Sequence, residues 1–582
     1  TERNCQIVIA LLKAHGIHRI IASPGTTNIA FVGSVQADPF FHVYSAVDER
    51  HAGYLAVGMA AESGEPVVLS CTGATASRNY LPALTEAYYR KLPVLALTSS
   101  QVFMHLGQLH PQMIDRTQIQ HDVANVSVWC PIAVSEEVAH YCERVVNEAI
   151  LALKWRGGGP AHINLETLFS RDFTVEALPS VKKIERYTLA DAFESWPRLS
   201  SETKIIIQVG AQKSFSPEAC EALEHFCRVF DAVVFVSPVS RFSGFGAISS
   251  GLVCGAHVRA REQYAHLKPD LIIHIGEVSA EYGAQGMLTG WAPVWRVNED
   301  GALRDLFGRL EVVYEMTPQA FFAHWREAQE RPEHAYYEHW QAADATFRQA
   351  LPQLPFCNNW IAWRVAALLP EGSRFHAGIL STIRSISYCS PLKSSDGFCN
   401  VGGFGIDGNT STLIGASLCS PDKLFIGMVG DLSFFYDMNA LGNRHIGRNI
   451  RLIVVNNGMG AEFTIYGNPG AQFQEHTKDY IAAGGHFAKQ SQDLVRHFAQ
   501  DLGFTYMSAH SQEELEQVLP ALFDQPTEHS IVLECFVRPE DEQEAWRRMD
   551  AYLSPNRDSF RAEVGRCLPK CVKETLKRVL SM

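Results

Sequence analysis

The chain has 582 residues, of which 46% are hydrophobic and 19% charged, and its formal net charge is −13. That length implies three or four domains, each large enough to bury a core, and the composition is that of an ordinary soluble globular protein. The acidic balance argues against nucleic acid as the main partner, and the absence of any long uninterrupted apolar run argues against a membrane span.

The opening residues Thr1-Glu2-Arg3-Asn4-Cys5 lack the basic-then-apolar pattern of a signal peptide. The 14 cysteines are scattered, with no Cys-x-x-Cys pair, so reduced and mostly core cysteines of a cytoplasmic protein are expected. Cys567 and Cys571 lie close in sequence but have no neighbouring histidine to complete a metal site.

In chain order, the first informative element runs from Ala46 to Ala60, where Asp48 and Glu49 open a helix of small residues. Acids in that position suit the helix macrodipole. Val67-Val68-Leu69-Ser70 reads as a buried strand ending in a turn at Thr72-Gly73-Ala74, then a helix, and Val94 to Ser100 reads as the next strand. Polar residues and prolines around Leu178–Lys183 and Trp196-Pro197 close a first α/β domain, residues 1–185. A middle α/β domain, 186–345, opens with Lys204 to Ala211 and has further buried strands at Ala232–Val236 and Leu271–Gly276. A charged helical stretch, Phe321 to Gln353, leads into a third α/β domain, 346–538.

The third domain carries a glycine-rich loop, Asn400 to Asn409, without the Gly-Lys-Ser/Thr ending of a phosphate-binding P-loop. No strand is expected immediately before it, which argues against a dinucleotide fingerprint. Further on, Leu424 to Val429 enters Gly430-Asp431-Leu432-Ser433, and Ile450 to Val455 enters Asn456-Asn457. Both runs read as buried strands, and Phe434 to Gly442 between them as a short amphipathic helix. A carboxylate and an amide at neighbouring strand ends, completed by a carbonyl and phosphate oxygens, suit Mg2+. Each pair alone could be a strand-ending turn; together they point to one metal-and-diphosphate site. The tail, 539–582, is highly charged. Val572, Leu576, Val579 and Leu580 follow a break at Pro569 with helical spacing, which suits a surface or oligomer-contact helix.

Gly430-Asp431 with Asn456-Asn457 resembles the diphosphate signature of thiamine-diphosphate enzymes. The wording Gly-Asp-Leu-Ser-x-x-Tyr-Asp-x-Asn-Ala-Leu is especially similar to the menaquinone-pathway synthases that make succinyl-enolpyruvyl-hydroxy-cyclohexene-carboxylate. The strand from Arg19 with its Ser23-Pro24-Gly25 turn, and the Val67–Leu84 succession, resemble the same superfamily. The resemblance implies three parallel-sheet α/β domains (pyrimidine-binding, middle and diphosphate-binding) and bound thiamine diphosphate with Mg2+. The middle domain resembles the structural one of the family, and no flavin is assigned to it, although acetolactate-synthase relatives bind one there. The cofactor then lies between the first domain of one subunit and the third of another, so a homodimer or homotetramer is implied, with no nucleic-acid or membrane partner.

Residue by residue, the resemblance implies Asp431, Asn457 and the Met459 carbonyl as metal ligands. It implies Gly430, Leu432, Ser433, Gly460 and Ala461 around the diphosphate. Pro24, Thr72, Asn79, Ser381, Thr382, Gly405 and Asp407 are implied as further cofactor contacts, and Ile406 as the apolar wedge between the cofactor's rings. Glu49 falls where the family keeps the glutamate that drives the aminopyrimidine to its imino tautomer, in an apolar pocket that raises its pKa. Gln118 or Gln120 faces the reaction centre, and Arg78 and Asn79 could face substrate. Arg384 matches a family arginine and either holds a carboxylate or phosphate or makes a structural pair. His110 and His121 read as ordinary loop residues, and Glu462 as either a pocket residue or a cap.

The chain also departs from the pattern. The menaquinone synthases meet their polyanionic substrates, isochorismate and 2-oxoglutarate, with arginines; this chain has Thr27, Gln101 and Val401 at three of those places. Losing guanidinium forks removes bidentate carboxylate recognition. The expectation is therefore decarboxylation of a smaller or less charged 2-oxo acid, with the acyl-anion equivalent passed to an acceptor. Simple release of an aldehyde and a non-catalytic, cofactor-binding subunit are the alternatives.

Overall fold

The computed structural model describes residues 2–553 apart from 174–175, 214, 257–260, 390, 393–394, 466, 488–489 and 525–526. The end of the tail, with Cys567, Cys571, Val572, Leu576, Val579 and Leu580, lies outside the described residues. The chain divides into two compact units, Thr1–Trp196 with Val294–Met316, and Pro197–Pro293 with Thr317–Met582. Its strands form three parallel sheets with interleaved helices, the α/β class expected.

In the first unit, β1 (Arg19–Ala22), β2 (His42–Ser45), β3 (Val67–Thr72), β4 (Val94–Ser100), β5 (Ser127–Cys130) and β6 (Ala161–Glu166) lie in the order β2-β1-β3-β4-β6-β5. The central strands are buried almost throughout and mostly apolar because helices cover both faces. Alternation along the pleat divides their side chains between two cores. Val68, Leu95 and Leu97 join the core under helices Arg3–Ala14 and Glu136–Ala152, whereas Val67, Leu69, Cys71, Val94 and Ala96 join Ala52, Ala56 and Ala60 of helix Glu49–Ser63.

Of the middle strands, β7 (Glu185–Thr188), β12 (Val294–Val297) and β13 (Leu310–Glu315) belong to the first unit, in the order β12-β13-β7. The second unit holds β8 (Ile205–Val209), β9 (Val233–Val236), β10 (Ala247–Ser249) and β11 (Leu271–Ile275), in the order β10-β9-β8-β11. The charged stretch from Phe321 is helical mainly over Ala335–Gln349, where Tyr336, Trp340, Ala343 and Phe347 form the buried stripe.

The second unit also contains β14 (Ser373–Ala377), β15 (Ser395–Phe398), β16 (Phe425–Gly430), β17 (Ile450–Asn456), β18 (Thr505–Ala509) and β19 (Ile531–Phe536). Their order, β15-β14-β16-β17-β19-β18, repeats that of the first sheet strand for strand. Two expectations are corrected here. A strand, β15, does precede the glycine-rich loop; it is a four-residue edge strand of Ser395-Asp396-Gly397-Phe398, without the apolar run that marks central strands. The helix after β16 starts at Asp431 rather than Phe434, because Gly430 takes an extended N-cap conformation (φ −73°, ψ 162°) and lets the helix begin at once.

Among the described residues no helix is long and apolar enough to cross a membrane. The described cysteines are free, and most are buried.

Candidate active site

In open α/β sheets ligands bind outside the carboxyl ends of the strands, where the strand order reverses. In the third sheet that reversal falls between β14 and β16, and the turns leaving those strands carry Ser381 and Asp431. The β16–β17 pairing sets Gly430 opposite Val455, so Asp431 and Asn456-Asn457 leave the sheet side by side.

Asp431 is 3% exposed. Burial pushes its carboxyl up to about 7, although the N–H groups of Leu432, Asp431, Gly458 and Asn457 pull it back. Its Oδ2 accepts the Gly458 N–H at 3.1 Å, and Gly458 reaches that position with φ 75°.

The two asparagines have separate duties. Asn456 donates through Nδ2 to Glu534 Oε1 at 2.7 Å, and the other Glu534 oxygen accepts the Tyr506 hydroxyl at 2.8 Å. Asn456 is thereby held in the sheet. Asn457 Oδ1 accepts a long bond, 3.3 Å, from the Met459 N–H.

Glu542, 2% exposed, is a site residue that sequence reasoning missed. Burial pushes its carboxyl up to about 7, offset by the Asn358 N–H at 2.8 Å and by the Asn457 side chain, with Asp431 close enough to raise it further. An amide that donates to Glu542 presents its oxygen on the other side. The signal was legible: Glu542, Ala545, Trp546 and Met549 form the buried stripe of helix Pro539–Leu553, and one of the four is an acid. The Asp431 carboxyl, the Asn457 amide oxygen and the Met459 carbonyl are an oxygen donor set that fits a hard divalent cation, with Glu542 behind Asn457.

The glycine-rich loop is fastened to the same edge. Ser433 Oγ donates to the Ile406 carbonyl at 2.6 Å, and Asn409 Nδ2 bonds both that carbonyl, at 2.7 Å, and Ser433 Oγ, at 3.0 Å. Ile406 is half-buried, with Gly405 and Asp407 beside it. Leu380, before the Ser381 helix, and Phe404, in the loop, adopt positive φ of 68° and 61°, two strained non-glycine positions. Thr382 is buried, and its Oγ1 accepts from Asn358 Nδ2 at 3.3 Å. A Cβ on Gly402, Gly403, Gly430 or Gly458 would meet open space, so the backbone can approach a ligand there. An open cleft of about 680 Å3 adjoins, lined by Asn457, Gly458 and Met459 together with Lys478, His510 and Arg538. Gly460 and Ala461 continue the same loop.

Arg384 is not free. Its Nη1 and Nη2 donate to the two Glu462 oxygens at 2.9 and 2.8 Å, and its guanidinium lies 5.1 Å over the Trp546 ring.

In the first unit the reversal falls between β1 and β3, at the Ser23-Pro24-Gly25 and Thr72-Gly73 turns. The two turns touch: a Cβ on Gly25 would overlap the Thr72 methyl group. Pro24 is exposed, and Thr72 and Asn79 are half-buried. Glu49 is the first residue of its helix, half-buried, behind an Asp48 cap that accepts from the Arg50 N–H at 2.9 Å. Gln118 borders a small pocket with Arg78, Thr98, Arg116 and His162, and Gln120 does not. Arg116, unremarked in the sequence, is buried and donates to Thr98 Oγ1; burial pulls its pKa down to about 10. His162 bridges Thr98 and Ser127, each at 2.8 Å, and burial holds it neutral. His110 is exposed and stacks on His105, and His121 is exposed.

The family described as thiamine pyrophosphate enzyme, N-terminal TPP binding domain, matches residues 4–119, which include Glu49 and the first-unit turns. The 2-succinyl-5-enolpyruvyl-6-hydroxy-3-cyclohexene-1-carboxylate synthase of Bacteroides thetaiotaomicron is 30% identical over 555 residues, covering 92% of this chain and 96% of its own. The synthase of the same name from Phocaeicola vulgatus is 29% identical over 536 residues (89% and 92%), and that of Flavobacterium johnsoniae 27% over 540 (89% and 93%). With end-to-end similarity added to two strand-order reversals that carry the expected turns, the chain belongs to this synthase family of thiamine-diphosphate enzymes and is an enzyme acting on 2-oxo acids.

Proposed function

We propose that the enzyme removes carbon dioxide from a 2-oxo acid and transfers the resulting acyl-anion equivalent to an acceptor, using thiamine diphosphate and Mg2+. The observation that carries this reading is buried Asp431 beside the Asn457 loop at the strand-order reversal of the third sheet. Asp431, Asn457 and the Met459 carbonyl hold the metal. Leu432 and Ser433, at the start of the Asp431 helix, offer backbone N–H groups to the diphosphate, Gly460 and Ala461 line it from the neighbouring loop, and Ser433 fastens the loop of Gly405, Ile406 and Asp407 beneath the cofactor. Pro24, Thr72, Asn79, Ser381 and Thr382 make the remaining contacts. Glu49 keeps and returns the proton that the aminopyrimidine must exchange. When bound, thiamine diphosphate supplies a thiazolium carbon that stores the electron pair left by departing carbon dioxide. Gln118, beside Arg78 and Arg116, is favoured over Gln120 as the amide near the reacting groups.

Relatives named as synthases support carbon–carbon bond formation over simple aldehyde release. Thr27, Gln101 and Val401, where the resembled enzymes have arginines, support a less charged donor than theirs. The proposed setting is the cytoplasm. The proposed assembly is a homodimer or homotetramer, in which Glu49 of one subunit serves the metal site of another, on a chain divided near residues 185, 345 and 538.

The test is calorimetric titration of metal-stripped protein with thiamine diphosphate, with and without Mg2+, followed by carbon dioxide release from a panel of 2-oxo acids. The expected result is Mg2+-dependent binding that Asp431→Ala abolishes, and turnover that Glu49→Gln abolishes. Folded wild-type protein that binds no thiamine diphosphate overturns the reading; binding without turnover points to a non-catalytic subunit.

A further inference from the structure

The Arg384–Glu462 pair joins two loops at the working edge of the third sheet. Arg384 sits in helix Ser381–Ser387, which leaves β14 at the strand-order reversal, and Glu462 in the turn Ala461–Thr464, just past Asn457 and Met459. Asp431 leaves β16, the strand between β14 and β17, so the pair flanks the metal ligands. The contact is a parallel fork of 2.9 and 2.8 Å, the geometry with which arginine recognises a carboxylate. Trp546 stacks on the guanidinium, and the side chains of Arg384 and Glu462 are 28% and 15% exposed. Burial works against the charge on Arg384, and Glu462 more than restores it. The guanidinium fork of Arg384 is thus already occupied by a carboxylate of the same chain.

From this geometry we infer that Glu462 is a specificity-determining residue, an internal counter-ion that restricts the donor to 2-oxo acids with no second carboxylate. An anionic far end brought to this edge meets a fork already used and a fixed negative charge beside it, whereas an uncharged side chain pays neither penalty. Glu462 touches no reacting atom in this role; it acts by withholding Arg384. The inference rests on the proposed 2-oxo acid chemistry and names its substrate class.

The experiment compares wild type, Glu462→Gln, Glu462→Ala and the double variant Arg384→Gln/Glu462→Gln. Each is loaded with thiamine diphosphate and Mg2+ and checked for an unchanged circular-dichroism spectrum. Carbon dioxide release is measured with pyruvate and with 2-oxoglutarate, and calorimetry gives the affinities of acetylphosphonate and succinylphosphonate, unreactive mimics of the two acids. Wild type is expected to prefer pyruvate in kcat/KM, and acetylphosphonate in Kd, by about tenfold or more. Both single variants shift each ratio at least about tenfold towards the dicarboxylate, and removing Arg384 as well cancels the shift. Glu462→Gln retains a hydrogen bond to Arg384, so it stays informative if Glu462→Ala unfolds. A wild-type preference for 2-oxoglutarate, or ratios that the Glu462 variants leave unmoved, overturns the inference while leaving 2-oxo acid decarboxylation standing. Cofactor binding with no turnover of either acid or of the wider panel overturns both.

Discussion

Asp431 and Glu542 are buried ionisable groups, and burial raises each carboxyl to about 7. A carboxyl raised in the fold binds its proton where the unfolded chain has already lost it, so metal-free protein loses stability as pH climbs from about 4 to above 7. For Asp431 the cost at pH 8 reaches at most about 4 kcal/mol. Asp431→Asn should therefore raise the melting temperature of the metal-free protein at pH 8 and have little effect at pH 4, as scanning calorimetry at the two pH values would show. Metal reverses the sign of interest. Mg2+ requires the carboxylate, so affinity should weaken as pH falls below about 7, and binding should release protons, detected as a dependence of the calorimetric heat on buffer ionisation. Glu542→Leu keeps roughly the volume of the side chain but loses the acceptor that orients Asn457. We expect about 10- to 100-fold weaker Mg2+ binding at pH 8 with the helix content retained. Unchanged affinity would mean that Asn457 is oriented by the Met459 N–H alone.

Elements were legible where burial is two-sided and illegible where close approach matters. Val67–Thr72, Val94–Ser100, Phe425–Gly430 and Ile450–Asn456 are nearly continuous apolar runs because each face meets a helix layer. The edge strand β15 escaped notice for the opposite reason, since an edge strand need not be apolar. Close approach of the Gly25 turn to Thr72 appears only in three dimensions. Gly25→Ala should cost about 1–3 kcal/mol through overpacking. Combining it with Thr72→Ser, which removes the overlapping methyl, should recover part of that loss in denaturant titrations; a strictly additive pair would show that the two turns do not touch in solution.

At the scale of the whole molecule, two sheets with the same strand order, 2-1-3-4-6-5 when each is numbered from its own first strand, present their turns at equivalent reversals. One sheet carries Glu49 nearby and the other Asp431. If each site takes its glutamate from one subunit and its metal ligands from another, Glu49→Gln and Asp431→Ala subunits, each inactive alone, should complement one another. Random pairing makes about half the dimers mixed, each with one intact site, so co-expression should restore about a quarter of wild-type activity. Activity no greater than that of the separate variants would place both residues in one subunit's site. By itself, the sequence determined the α/β class and the strands with two buried faces, because these depend on local periodicity, while the cofactor class followed from the resemblance of its Gly430-Asp431 and Asn456-Asn457 turns to those of thiamine-diphosphate enzymes. Only the tertiary structure decided that Asn456 belongs to Glu534, that Glu542 returns from a helix 85 residues beyond Asn457 to hold it, and that Glu462 occupies Arg384. Those pairings join residues far apart in the chain, and they arise only when parallel strands bring their carboxyl ends to one edge.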